Sequence, residues 1–273
     1  MADDLDDEWW LQENNGTDKE ASKDVASESE VESADEAIPN KRKAESDNDT
    51  SLTDEPPKKK KKKKKKLNIT EVLKKNAPQA GCPGDVVTEI TKHFKDKLSP
   101  IEEDEIQLSD PDEHFLESNT LDQLPTSYFN AIMPKWKKQI QKLDVPGAPI
   151  LLVISSAAIR ALEVKRQMKT FLGEKSKTAK LFAKHMKIKE QEKHLGKNVI
   201  HCGIGTPNRI RSLLDSGALK TNRLHYIVFD WNWRDQKQKR LIDGQDVKTD
   251  LMQLLQKHLI PLVKAGNAKF GLL

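Results

Sequence analysis

Short apolar runs punctuate the second half of this chain: ILLVI at 150–154, NVIHCGIG at 198–205, LHYIVFD at 224–230 and AKFGLL at 268–273. Each has the length of a strand rather than of a helix. AKLF at 179–182 is a further candidate. Stretches with helical spacing lie between them. Tyr128, Ile132, Trp136 and Ile140 recur every four residues beside Phe129 and Met133, which predicts one amphipathic helix over 126–142, ended by PGAP at 146–149. Ser155 or Ser156 is placed to cap a helix with Ala157, Ala161, Val164, Met168 and Phe171 on one face. KEQEKHLGKN reads as a helix ending near Gly196. Thr206 as cap and Pro207 at the first helical position open another, because proline is tolerated there. The stretch 246–264 predicts one more, with Val247, Leu251, Leu254, Leu255, Leu259 and Leu262 inward. Apolar strands alternating with amphipathic helices make βαβ units. The expectation is an α/β fold: one parallel sheet with helices on both faces. About 150 residues suffice for such a domain, and residues 124–273 supply them.

Upstream the composition changes. Residues 1–55 hold 19 Asp/Glu against 5 Lys/Arg, a net of −14, and residues 56–273 hold 42 Lys/Arg against 24 Asp/Glu, a net of +18. An acidic tail before a basic body points to nucleic acid or to assembly with basic proteins. Residues 11–57 nearly lack large apolar side chains and predict disorder. Ser27, Ser29, Ser33 and Ser46 lie among acids, a context that acidophilic kinases use. Nine lysines then follow without a break, Lys58, Lys59, Lys60, Lys61, Lys62, Lys63, Lys64, Lys65 and Lys66, with Lys41, Arg42 and Lys43 upstream. Charges this dense stay extended and solvated. They read as a signal for nuclear import receptors, as an electrostatic contact with phosphates, or as a solubilising tail.

Residues 1–66 thus form an acidic then lysine-rich tail, and residues 67–123 a partly helical linker. In the linker, ITEVLKKN predicts a short helix capped by Asn68 or Thr70, and Val86, Val87, Ile90 and Phe94 fall at helical spacing. IEEDEIQLSDPDEHF reads as a loose acidic connection. Cys82 and Cys202 form no CxxC, which excludes a disulfide framework and fits a reducing compartment. The histidines lack ligand spacing and His201 and Cys202 point to opposite faces of their strand, so no metal is expected and Cys202 belongs to the core. No apolar run is long enough to span a membrane, and MADDLDDEWW has none of the features of a secretory signal.

GTPNRI at 205–210 resembles the TPGR-type motif of DEAD-box RNA helicases, at the end of a strand and the start of a helix. VFD at 228–230 stands where those enzymes have VLDEAD, ILLVISS precedes a helix where they place PTRELA, and Gln191 matches a frequent glutamine. This resemblance covers residues 124–273 and implies a single RecA-like, P-loop-NTPase-like unit. A second resemblance runs through nearly the whole chain. MADDLDDEWW, the lysine run, SSAAIRALE, GTPNRI, FDWNWRDQK and KFGLL together are similar to the Cms-one (CMSS) family of ribosomal small-subunit proteins, a helicase-like group associated with the pre-ribosome. It implies a nuclear, nucleolar protein of small-subunit biogenesis, with pre-rRNA and pre-ribosomal proteins as partners.

The helicase chemistry is not matched. No GxxxxGK[ST] occurs, and LGEKSKT at 172–178 follows a helix and reads as a surface loop. Trp231 stands where the second acid of the DEAD motif would orient water, so Asp230 could meet a magnesium ion only without a phosphate cradle. The strand that should end in SAT ends in GLL, and no second RecA-like half is expected. No ATP hydrolysis and no cofactor are expected. The RNA side of the motif is better kept: Thr206, Pro207 and Arg209 match position by position, with Asn208 in a glycine's place, at a helix N-terminus suited to anions. A plain capped strand–helix turn is the other reading. Arg160 is the basic residue near the start of the earlier helix, one or two places off register, and joins the RNA candidates.

Trp231 and Trp233 alternate, so on an extended segment they would point the same way. They make either a packed pair covering the sheet end, or a partner's anchor or base-stacking pair beside Arg234. Trp9 and Trp10 read as a docking motif in the acidic tail. The expected function is a non-enzymatic nuclear protein that binds RNA or the pre-ribosome. A partner-dependent ATPase or nucleotide-sensing switch, and a protein-only scaffold, are the alternatives.

Overall fold

The computed structural model describes residues 79–141, 145–183 and 186–273. Trp9, Trp10, the acidic serines, Lys58–Lys66 and the ITEVLKKN stretch lie outside them. The described residues belong to one compact unit, Lys64–Leu273. Its strands are β1 (Leu151–Ile154), β2 (Thr178–Leu181), β3 (Cys202–Gly205), β4 (Tyr226–Phe229) and β5 (Lys269–Leu272). They form one sheet in the order β2-β3-β1-β4-β5, and every neighbouring pair is parallel. This is the expected α/β architecture, with AKLF confirmed as a strand. The open side of β5 is flanked in turn: Phe115 bridges Phe270 in parallel, and the amides of Leu116 and Asn119 donate to the carbonyls of Phe270 and Leu272.

The helices follow in chain order: α1 (Pro83–Phe94), α2 (Pro100–Ile106), α3 (Pro111–His114), α4 (Pro125–Ile132), α5 (Trp136–Ile140), α6 (Ala158–Gln167), α7 (Lys169–Leu172), α8 (Ile188–Lys197) and α9 (Pro207–Asp215). A last helical stretch comprises α10 (Gln245–Leu254), a wide π-turn (Leu255–Leu259) and α11 (Ile260–Lys264). Side chains alternate along a strand, so the sheet has two apolar faces. Leu151, Val153, Cys202, Ile204 and Val228 meet α4 to α7 on one face. Leu152, Ile154, Ile227, Phe229 and Phe270 meet α1, α2 and α8 to α11 on the other. Strands β2 and β3 approach closely at Gly205, where an added Cβ would lie 1.9 Å from the Leu181 carbonyl oxygen.

The structure departs from the sequence reading in four places. The helix expected over 126–142 is two helices. Pro134 has no N–H and disfavours helical angles in the residue before it, and Met133 accordingly leaves the helix at φ −131°, ψ 61°. The acidic stretch after Ser99 is not loose. The Ser99 hydroxyl accepts from the Glu102 amide while the Glu102 carboxylate accepts from the Ser99 amide at 2.9 Å, a capping box that starts α2. The Asp110 carboxylate caps α3 by accepting from the Asp112 amide at 3.1 Å, and Ile106, Leu108 and Phe115 are buried. Neither Ser155 nor Ser156 caps α6; Ala157 holds that position and Ser155 is buried at the end of β1. In the 245–264 stretch Pro261 cannot donate to the preceding turn, and the π-turn directly upstream accommodates its ring.

Candidate functional site

In parallel α/β sheets the carboxyl ends of the strands are where ligands bind. GTPNRI and VFD both lie there. Thr206 leaves β3 with its amide donating to the Leu181 carbonyl at 3.0 Å, and α9 begins at Pro207. Thr206 holds the cap position by conformation, without a side-chain cap bond. Arg209 is half-buried on the first turn. Its Nη1 donates to the Gln191 Oε1 at 2.8 Å and to the Met186 carbonyl at 3.1 Å. Gln191 is itself fixed, its Nε2 donating to the carbonyls of Lys180 and Phe182 at the end of β2. Burial pushes the Arg209 guanidinium below its ordinary pKa, yet an arginine stays charged. Asn208 is drawn aside, its Nδ2 donating to Asp250 on α10 at 3.0 Å.

At the end of β4, Asp230 is 2% exposed and Arg160 on α6 is 8% exposed. Arg160 Nε donates to Asp230 Oδ2 at 2.8 Å and Nη2 to Oδ1 at 2.9 Å. The remaining Nη1 reaches Glu163 at 3.3 Å, and the Trp233 ring covers the guanidinium at 4.9 Å. Burial pushes the Asp230 carboxyl up, against the hydrogen bonds from Arg160. For Arg160 burial works downward, but the hydrogen bonds to Asp230 and Glu163 outweigh it and the pKa is raised. Arg160 thus faces inward to a carboxylate rather than outward.

The two indoles part company. Trp231 is 3% exposed and packs against the backbone at Gly81, where an added Cβ would meet its ring at 2.1 Å. The chain bends at Asn232, whose Oδ1 accepts from the Gly81 amide at 2.7 Å and whose Nδ2 donates to the Asn119 carbonyl at 3.4 Å. Trp233, half-exposed, turns to Arg160 instead. Sequence reasoning missed Gly81 and Asn232, which no spacing rule connects. LGEKSKT closes α7 at Gly173, with φ 70°, and leads into β2, so it is no strand-to-helix phosphate loop. Among the described residues, no group of three or more His, Cys, Asp or Glu is placed to hold a metal ion, and no helix is long and apolar enough to cross a membrane.

A family model described as CMS1, U3-containing 90S pre-ribosomal complex subunit, matches residues 26–268. Protein CMSS1 of Xenopus laevis is 40% identical over the full length of both chains. Protein CMSS1 of Homo sapiens is 40% identical over 76% of this chain and 73% of its own. Protein CMS1 of Chaetomium thermophilum is 31% identical over 63% of this chain and 70% of its own. Among solved structures, a DEAD box protein from the hyperthermophile Methanococcus jannaschii aligns with 16% identity and a TM-score of 0.37, over 68% of this chain and 46% of that one. This chain therefore spans less than half of that protein.

Proposed function

This chain belongs to the CMS1 family of ribosome-biogenesis proteins, whose model is described as a U3-containing 90S pre-ribosomal complex subunit, and we propose that it serves there as a non-enzymatic, RNA-contacting component of the small-subunit pre-ribosome in the nucleolus. The observation that carries this reading is Arg209. It stands on the first turn of a nine-residue helix, beside Thr206, and is held by Gln191 through a single nitrogen. Among the described residues only Nη1 is engaged, which leaves Nε and Nη2 for a phosphate. A guanidinium fixed before the ligand arrives loses little rotamer entropy on binding. The helix N-terminus adds oriented amides and a partial positive charge. The basic excess of residues 56–273 supplies attraction without sequence preference.

The non-enzymatic part is supported by the absence of a glycine-rich phosphate loop from the sequence and by Trp231, whose ring is buried where a helicase would orient water with an acid. The lysine run Lys58–Lys66 is the segment proposed for import receptors, and Trp9 and Trp10 for docking on a pre-ribosomal protein.

The test is fluorescence anisotropy of the full chain with a labelled structured RNA, titrated at several salt concentrations. Affinity should fall steeply with salt, and Arg209→Ala should weaken binding about five- to tenfold and flatten the slope by roughly one phosphate contact. An Arg209→Ala protein that binds RNA as tightly as the parent removes the basis for this site, and a parent that does not bind RNA leaves a protein-only scaffold.

A further inference from the structure

The helicase-like placement of Asp230 implies a magnesium ion, and the residues around Asp230 do not fit one. Magnesium requires six oxygen ligands in near-octahedral array. Both Asp230 oxygens instead accept from one guanidinium, at 2.8 and 2.9 Å. Glu163, the other acid at this pair, is held by the same guanidinium at 3.3 Å. Trp231, the next residue, has its ring in the core, and that side chain carries no oxygen. An incoming cation would have to displace a buried, bidentate arginine from beneath the Trp233 ring.

We propose that Arg160 is a tethered replacement for the divalent cation: its guanidinium supplies the positive charge that the carboxylate at the end of β4 needs, and it fixes the carboxyl edge of the sheet without metal or nucleotide. The planar fork of arginine suits this role. It satisfies two carboxylate oxygens at once and keeps a third edge for Glu163. The ring of Trp233 over its face limits water and adds a cation–π contact. The pair joins α6, which follows β1, to β4, the neighbour of β1, so one charge locks two elements that a nucleotide-driven domain would adjust with its ligand. This inference deepens the non-enzymatic reading, but its test does not involve RNA.

The test is thermal unfolding of the full chain in MgCl2 or in EDTA at matched ionic strength, for the parent, Arg160→Ala, Asp230→Asn and Arg160→Ala/Asp230→Asn. The parent Tm should be the same in both media within about 1 °C. Arg160→Ala leaves a buried carboxylate unpaired and should lower Tm by about 6 to 20 °C in EDTA. Magnesium at about ten times its dissociation constant should then restore about 3 to 6 °C. The double variant should show no magnesium response. Should the alanine variant not fold, Arg160→Gln, which keeps the stem, takes its place with the same expectations. Two results would overturn the proposal. One is a parent Tm that rises with magnesium and loses that rise in Asp230→Asn. The other is an arginine-free variant whose Tm ignores magnesium, which would reduce the pair to a structural staple.

Discussion

Trp231→Ala tests whether the first indole after β4 is a structural member of the core. The ring is 3% exposed, belongs to the core that α1 covers, and lies against the backbone at Gly81. Truncating a buried tryptophan costs about 3 to 5 kcal/mol, through lost transfer energy and the cavity left behind. For a domain of this size each kcal/mol moves Tm by about 2 to 4 °C, so the expected fall is roughly 6 to 20 °C. Gly81→Ala probes the same contact from the other side. Its Cβ would come within 2.1 Å of the ring, so one of the two must move. In the Trp231→Ala background that clash is gone, and Gly81→Ala should be close to neutral. Chemical denaturation of the four proteins in this cycle measures the coupling, which should exceed about 1 kcal/mol. Hydrogen exchange at the Gly81 amide, bonded to Asn232 at 2.7 Å, should accelerate in Trp231→Ala. A Trp231→Ala protein within about 0.5 kcal/mol of the parent, or a Gly81→Ala cost that is the same in both backgrounds, refutes the reasoning.

Two other perturbations follow from the same geometry. Burial holds the His201 imidazole below its ordinary pKa, and its Nδ1 accepts from the Lys177 amide at 2.8 Å. The unfolded chain therefore binds the proton more readily, so stability is complete above pH 6.5 and declines as the pH falls through that value toward the folded pKa. Tm measured between pH 7.5 and 5.5 should drop, and His201→Asn, which keeps an acceptor without the titration, should drop less. At Gly205 a Cβ would meet the backbone of Leu181 at 1.9 Å, with no flexible end to yield. Gly205→Ala should cost about 3 kcal/mol or more in urea unfolding, and a midpoint near the parent's would contradict the observed approach of β2 and β3.

The strands were the most legible part of the sequence, because their apolar runs are short and lie between turn residues. The helices were legible where one face alone decides them, and misread where one proline intervenes. Tyr128, Ile132, Trp136 and Ile140 keep perfect spacing across Pro134, and Leu254, Leu255 and Leu259 across the π-turn before Pro261, yet in both places the backbone departs from the ideal turn. The Ser99 and Asp110 caps were visible as letters, but acidity masked them. The pairing of Arg160 with Asp230 was not legible. It depends on β1 and β4 being neighbours, and strand order is set by packing between distant segments. The shared direction expected of Trp231 and Trp233 assumed an extended chain, and the bend at Asn232 removes that assumption.

The placement of β5 has a consequence for the order in which the protein is made. This strand lies between β4 and residues 115–119, and its partners on that side are synthesised roughly 150 residues before it. At ordinary elongation rates the interval is on the order of ten to thirty seconds. Throughout it, Leu116 and Asn119 have no strand to pair with, and Ile90, Phe94 and Ile106 lack part of the surface that will cover them. The nascent chain therefore carries its earliest helices as unclosed, sticky segments until Lys269–Leu272 emerge, and a ribosome stalled before that point presents them to chaperones and to other chains.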